Sequence, residues 1–409
     1  MLLSNGASFN EERAAVFSIK RIDMMPNSES RADALSTPDL ASRRTLLKLA
    51  GIGALGAGAM MSSTRMRASA DIPKDLAIMS SNENPYGPSP KAMAAMKAEV
   101  GNVYRYTWPL QMKFREQIAA RENVAPEQVL VANGSSPILA AFSEWVKMQG
   151  GKLLTSAITY EGVPRVSKAY GTEILFMPLT QDMGYDMEAI SARISDDIGA
   201  VYLCNPNNPT GKTIDSDVLR NFVDDASQKV PVFVDEAYLD MADDFPAGVM
   251  TEFVRAGRPV VIARTFSKLY AMAGQRLGYA IMPEPMVAEM QATGRFTSVN
   301  HLALVAGIAS LDDTAYFEEM RMKTALGRAK LVAMANDLGR PIAPDPQGSF
   351  IYMDTGMPNG EFQAKMLERG VRVVGERWQE LPTWTRICIG LDHEIERCHE
   401  AAKQVLAST

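Results

Sequence analysis

From residue 129 to residue 281, short β-branched and apolar runs alternate with helical stretches, and no other feature limits the fold as strongly. Runs at 129–131, 174–176, 201–203, 232–234, 260–262 and 279–281 read as strands. Helical patterns, including 138–147 and 215–226, separate most of them. Such alternation predicts an α/β unit with a largely parallel sheet, which binds ligands beyond the carboxyl ends of its strands. After Asn300 the pattern changes to a long helical region reaching about residue 338, a proline-rich loop at 339–348, and strand candidates at 350–352, 371–374 and 386–389 around a helix at 362–369. This second part reads as a smaller α+β domain.

Composition excludes several functions. The 409 residues are 46% hydrophobic and 22% charged, enough apolar content for a sizeable core. A net charge of -6, with no basic stripe interleaved with aromatics, argues against a nucleic-acid partner. Three cysteines (Cys204, Cys388, Cys398) form no CxxC pair, and three histidines (His301, His393, His399) leave little for a metal site or a Ser/His/Asp triad. No metal is expected. His393 and His399 are read as surface residues of a polar C-terminal helix.

The first seventy residues read as an address. Ser42-Arg43-Arg44-Thr45-Leu46-Leu47-Lys48 precedes a Gly/Ala-rich apolar stretch at 49–61 and then Ala68-Ser69-Ala70. A basic region, a short apolar region and a small-residue cleavage site make an export signal, and this apolar run is too short for a good membrane span. The paired arginines resemble a twin-arginine (Tat) signal, with Leu46 where phenylalanine is usual. The expectation is a disordered leader and signal peptide (1–70), cleavage near Asp71, periplasmic export through the Tat machinery, and no stable membrane span afterwards. An anchoring N-terminal helix is the alternative.

The residues that carry chemistry lie at strand ends. Arg264-Thr265-Phe266-Ser267-Lys268 follows an apolar strand, with Arg276 eight residues after the lysine. A lysine that forms a Schiff base must be positioned and partly desolvated so that its neutral amine is accessible. Thr265, Ser267 and Arg276 can together hold a phosphate. Taken alone, such a lysine is usually a solvated surface residue. Asn205-Pro206-Asn207-Asn208-Pro209-Thr210-Gly211 alone is a turn signal. Asp235-Glu236-Ala237-Tyr238 closes another strand; its aspartate is either a helix cap or the partner of a buried cation. Gly134-Ser135-Ser136, between a strand and a helix, is placed to offer N–H groups to a phosphate.

In this order, and with Asn82-Glu83-Asn84-Pro85-Tyr86-Gly87-Pro88-Ser89-Pro90 ahead of them, the runs resemble the fold-type I, class I/II aminotransferases, and within them the histidinol-phosphate aminotransferase-like group. The likeness spans about residues 80–391. It implies a large pyridoxal 5′-phosphate-binding domain (101–300), an N-terminal arm (71–100) packing with a small domain (301–409), and a homodimer. Residue by residue, it implies that Lys268 holds the cofactor and shuttles the proton at the substrate Cα. Asp235 partners the pyridine nitrogen, Asn208 and Tyr238 bond the ring's 3′ oxygen, and Tyr160 stacks on the ring. Gly134, Ser135, Thr265, Ser267 and Arg276 take the phosphate, with Tyr106 reaching it from a neighbouring subunit. Arg386 binds the substrate carboxylate, and Tyr86 and Asn300 line the substrate pocket.

Two departures bear on substrate. The group commonly carries a phosphate-binding arginine where this chain has Val374, with Arg377 near but out of register, and the pocket run reads Gly348-Ser349-Phe350 where the group more often has an asparagine. The leading expectation is therefore ping-pong transfer of an amino group from an L-amino acid, aromatic or bulky and apolar, to a 2-oxo acid. A lyase or decarboxylase on the same fold, histidinol-phosphate transamination proper, and a non-catalytic binding protein are the alternatives.

Overall fold

The computed structural model describes residues 75–407. They fall within a unit spanning Ile72–Thr409; the leader and the Tat-type motif lie outside the described residues. Eleven strands occur among the described residues: β1 (Ala77–Ile78), β2 (Val129–Ala132), β3 (Lys152–Ser156), β4 (Ile174–Met177), β5 (Ile198–Cys204), β6 (Val232–Asp235), β7 (Val260–Thr265), β8 (Gly278–Ile281), β9 (Phe350–Asp354), β10 (Val371–Arg372) and β11 (Trp384–Cys388). Strands β2 to β8 form one seven-stranded sheet in the order β2-β8-β7-β6-β5-β3-β4. Only β8 runs against its neighbours.

The strands read as unbroken apolar runs because both sheet faces are covered. Val201, Leu203, Val232, Val234, Val260 and Ile262 pack into the core on one face. Their alternates Ala200, Tyr202, Phe233, Val261 and Ala263 pack into a second core on the other. The helices that matter to the site are α1 (Pro90–Glu99), α2 (Trp108–Glu122), α3 (Ser136–Gln149) and α4 (Gly162–Ala169). They are followed by α5 (Met187–Arg193), α6 (Ser216–Ala226), α7 (Thr251–Arg255), α8 (Glu284–Gln291) and α9 (His301–Leu311). The chain continues through α10 (Thr314–Asp337), α11 (Asn359–Glu368) and α12 (Asp392–Leu406).

Three sequence expectations are corrected. Strand β3 was not foreseen, because Lys152, Thr155 and Ser156 dilute its apolar signal, although Thr155 and Ser156 are buried. The helical region after Asn300 is two helices broken at Asp312–Asp313. In the 371–374 run only Val371 and Arg372 pair as strand, parallel to β1. His393 is exposed, and His399 lies at the surface with its Nε2 2.9 Å from Asp337 in an exposed pair, as read from the sequence. Pairing of β1 with β10, and Cys388 N–H donating to the Met79 carbonyl, fix residues 77–79 against β10 and β11. That placement carries residues 80–83 across the mouth of the sheet's carboxyl edge. No helix among the described residues is long and apolar enough to cross a membrane.

Candidate active site

A cavity of about 330 Å³ opens at the carboxyl edge of β2, β5, β6 and β7. Of the residues singled out in the sequence, it gathers Ser135, Tyr160, Asn208, Asp235, Tyr238, Thr265, Ser267, Lys268, Arg276 and Arg386. They come from six separate chain segments, brought together by the parallel sheet.

One end of the cavity is built for an anion. Ser135 and Ser136 open α3, whose first N–H groups and dipole favour negative charge. Across from them, Thr265 Oγ1 donates to Ser267 Oγ at 3.0 Å, and Arg276 Nη1 donates to Ser267 Oγ at 3.2 Å. Gly134, at φ 85°, lets the guanidinium in: any Cβ there would collide with Arg276 Nη2. A cation, three or four hydroxyls and a helix start make a cup that fits a phosphate monoester.

Further along, Asp235 ends β6 with 1% exposure. Among the described residues its carboxylate receives only the Tyr202 hydroxyl (3.1 Å) and the Ala237 N–H (3.2 Å). Burial outweighs those bonds and pushes its pKa up to about 6. A protonated ring nitrogen supplies the opposite charge this carboxylate lacks. Tyr160 lines the wall beside it, and Gly162 leaves room for the Tyr160 ring, since a Cβ there would lie 2.6 Å from Tyr160 Cε1. The donor set thus fits the expected ring cofactor at its phosphate, its nitrogen and its face.

Lys268 Nζ donates to the Ser81 carbonyl at 3.1 Å. Burial, then the Arg386 charge, lower its pKa to about 8, so a neutral amine is accessible near neutral pH. Tyr238 is 4% exposed, and its hydroxyl accepts from Asn82 Nδ2 (2.8 Å) and Asn208 Nδ2 (3.3 Å). Arg386, on β11, is 3% exposed; its guanidinium donates to Asn208 Oδ1 (2.5 Å) and to the Ser80 carbonyl (2.7 Å). Among the described residues its Nε has no hydrogen-bond partner, and the Phe350 and Trp378 rings flank the guanidinium at 5.5 and 5.7 Å.

Of the other four singled-out residues, Gly134 lies directly behind Arg276, and three are not brought to the cavity. Asn300 is an exposed N-cap of α9, its side-chain oxygen taking the Leu302 and Ala303 N–H groups. Tyr86 sits under Lys323, 4.8 Å from its ring centre. Tyr106 is 90% exposed. Of the two positions weighed for a substrate phosphate, Val374 does not line the cavity: it packs with Ile158, Ala343, Tyr352 and Trp378 in a satellite core. Arg377 does line it, and pairs with Glu161 at 3.3 Å. Sequence reasoning missed Tyr202, Asn82 and Cys388. A tyrosine inside a fully buried strand was a signal for Tyr202, since its hydroxyl needs a partner. Among the described residues no cluster of metal-ligating side chains occurs.

Residues 74–405 match the family model for aminotransferase class I and II. The chain is 32% identical over 334 residues to a histidinol-phosphate aminotransferase of Akkermansia muciniphila, covering 82% of this chain and 91% of that one. It is 34% identical over 338 residues to histidinol-phosphate aminotransferase 2 of Pseudomonas fluorescens, covering 82% and 90%. In fold it is similar to the crystal structure of histidinol-phosphate aminotransferase from Sinorhizobium meliloti in complex with pyridoxal-5′-phosphate, with TM-score 0.73, 24% identity, and 81% and 91% of the two chains covered.

Proposed function

The chain belongs to the aminotransferase class I and II family and is a pyridoxal 5′-phosphate-dependent aminotransferase; from that premise we propose that it moves the amino group of a neutral, bulky L-amino acid to a 2-oxo acid, in two half-reactions at Lys268. The observation that carries this reading is Arg386. It is a buried guanidinium in the same cavity as Lys268, and no carboxylate partners it among the described residues. A substrate carboxylate completes it with the strong, two-pronged bond that guanidinium favours.

Bound pyridoxal 5′-phosphate supplies an electron sink for charge at the substrate Cα. The protein does the rest. Ser135, Thr265, Ser267 and Arg276 would hold the cofactor's phosphate, Tyr160 would cover the ring, Asp235 would set its carboxylate against the ring nitrogen, and Asn208 and Tyr238 would bond the 3′ oxygen. Lys268 would carry the cofactor and, as a free amine, serve as the base for the Cα proton. Residues 80–83 cover the mouth and exclude water.

A second reading, histidinol phosphate as donor, is favoured by Arg377, whose guanidinium lines the same cavity and suits a phosphate. The two are separated by kcat/KM for histidinol phosphate against L-phenylalanine, L-tyrosine, L-leucine and L-methionine. The neutral amino acids are expected to lead; a lead for histidinol phosphate overturns the first reading. In either case, amino donor bleaches the cofactor's visible absorbance and a 2-oxo acid restores it, whereas a lyase releases product without that cycle.

The same proposal includes a homodimer in which Tyr106 serves the neighbouring site. Exposed Val100, Val103, Tyr104, Tyr106 and Trp108 form an apolar run consistent with burial against a second copy. A fully active monomer in sedimentation overturns it. It also includes Tat export and cleavage near Asp71, which N-terminal sequencing of periplasmic protein tests.

A further inference from the structure

Tyr238 is held from behind by two amides, and both are locked by a third group. Asn208 Nδ2 donates to the Tyr238 oxygen while Asn208 Oδ1 accepts from Arg386. Asn82 Nδ2 donates to the same oxygen at 2.8 Å while Asn82 Oδ1 accepts from the Cys388 thiol at 2.8 Å. The thiol sulfur in turn accepts the Asn82 N–H at 3.1 Å. Two bonds between residues 306 positions apart thus clamp Asn82 to Cys388, and a third runs from the clamped amide to Tyr238.

We propose that Asn82, oriented by Cys388, is a positioning residue that fixes the Tyr238 hydroxyl as a hydrogen-bond donor into the cavity. A phenol oxygen has two acceptor sites and one proton. Here both acceptor sites are filled, so the proton is left to point forward, toward the cavity that Tyr238 lines. Two donated bonds also draw density from the oxygen and make its O–H a stronger donor. The thiol selects the amide's orientation. With Sγ–H on Oδ1 and the sulfur already accepting the Asn82 N–H, the amide N–H pair faces Tyr238; the flipped amide would leave the thiol proton without Oδ1, place a second donor on the sulfur and turn the Tyr238 proton back onto the amide. The backbone agrees, since Asn82 sits at φ 51°, where asparagine is among the few non-glycine residues tolerated. Asn82 is 1% exposed, so water does not compete for these bonds.

The inference rests on the reading that Tyr238 faces the ring's 3′ oxygen. A weaker donor there leaves more negative charge on that oxygen, which holds the neighbouring proton to higher pH. The readout is the pH midpoint of the bound cofactor's visible absorbance, in holoenzyme, without substrate. Tyr238→Phe sets the scale and is expected to raise the midpoint by about one unit, the size of one hydrogen bond's net contribution. Asn82→Asp, which turns the donor into an acceptor, should do as much. Asn82→Gly, which keeps the left-handed backbone, should raise it by about half a unit. Cys388→Ala should give a smaller rise, and Cys388→Ser should restore the wild-type midpoint because it keeps a donor. If Tyr238→Phe moves the midpoint while Asn82→Gly and Cys388→Ala leave it at the wild-type value, Asn82 is only a backbone element and the inference is wrong. If Tyr238→Phe itself moves nothing, the placement of Tyr238 fails and takes the inference with it. Should Asn82→Asp fail to load cofactor, the Cys388 pair still decides.

Discussion

Arg264 and Arg386 are both buried arginines, 6% and 3% exposed, yet their surroundings differ in kind. Arg264, on the underside of β7, lies 2.6 Å from Glu122 and 2.8 Å from Glu236. Arg386, at the cavity, meets only neutral acceptors among the described residues. The same contrast separates neighbours in sequence: Glu236 faces Arg264, while Asp235 faces a tyrosine hydroxyl and one N–H. Burying a charge is costly unless an opposite charge accompanies it. The underside cluster meets that condition within the protein. In the proposed reading the cavity meets it with ligand: a ring nitrogen for Asp235 and a carboxylate for Arg386. An internally closed charge marks structure here, and a half-closed one marks the site.

The largest effect that can break this comparison is loss of the reacting amine. Lys268→Ala is expected to abolish transamination while leaving the thermal midpoint near wild type; near-normal turnover would remove Lys268 from the chemistry. Next is Asp235→Asn, expected to retain cofactor and lose orders of magnitude in kcat. It has a second, opposite signature in cofactor-free protein. The carboxyl titrates at about 6 in the fold against 3.8 when exposed, so folding binds a proton between those pH values and stability falls as pH rises through them. The span corresponds to about 3 kcal/mol. Urea unfolding at pH 4 and pH 7 should show a smaller loss in Asp235→Asn than in the wild type, the remainder coming from Glu236, whose burial raises its pKa to about 7 despite Arg264. Equal pH slopes in the two proteins would mean that Asp235 is already compensated.

The two arginines themselves give the sharper test. Arg386→Met is expected to lower kcat/KM about ten- to hundredfold, the value of a charged hydrogen bond, with little loss of stability because no carboxylate is orphaned. Arg264→Met should do the reverse. It leaves two buried carboxylates without their cation, costing about 3–5 kcal/mol of stability, and the ranking of substrates should not change. If Arg264→Met reorders substrates, or Arg386→Met unfolds the protein, the distinction between closed and half-closed charge fails.

Much of this was legible in sequence where the signal is local. Strands buried on both faces show as unbroken apolar runs, so β2 and β4 to β8 could be read within two or three residues of their ends, and the chemistry-bearing runs stand directly after them. What was not legible depends on contacts distant in sequence. Asn82 and Cys388 meet across 306 positions, and nothing near either residue announces the other. Arg377 reaches the cavity because the chain leaves strand geometry after Arg372, which a register count along an assumed strand at 371–374 could not foresee. Asn300 shows the converse. Its place before an apolar run is an N-cap signal, and the structure uses it as a cap, whereas the family likeness had pointed it at substrate.

The smallest effect concerns Arg377, the cavity's other arginine, and asks whether it belongs with Arg386 or apart from it. Its side chain is 39% exposed and its partner Glu161 41% exposed, at 3.3 Å. Such a pair contributes about 0–1 kcal/mol, so Arg377→Met should shift the thermal midpoint little. Because Glu161 already supplies its counter-charge, Arg377 resembles the closed cluster more than it resembles Arg386. Neutral amino acids have nothing to offer it, and their kcat/KM should change less than about fivefold, within the value of that pair. A phosphate-bearing donor is different: it competes with Glu161 for the guanidinium, and losing that contact should lower kcat/KM about tenfold or more. The comparison of histidinol phosphate with L-phenylalanine in wild type and Arg377→Met therefore reads Arg377 directly. A selective loss for histidinol phosphate assigns Arg377 to that substrate's phosphate. An equal loss for both, as large as that of Arg386→Met, would show that the two arginines act as one anion site and that an exposed ion pair can also be half closed.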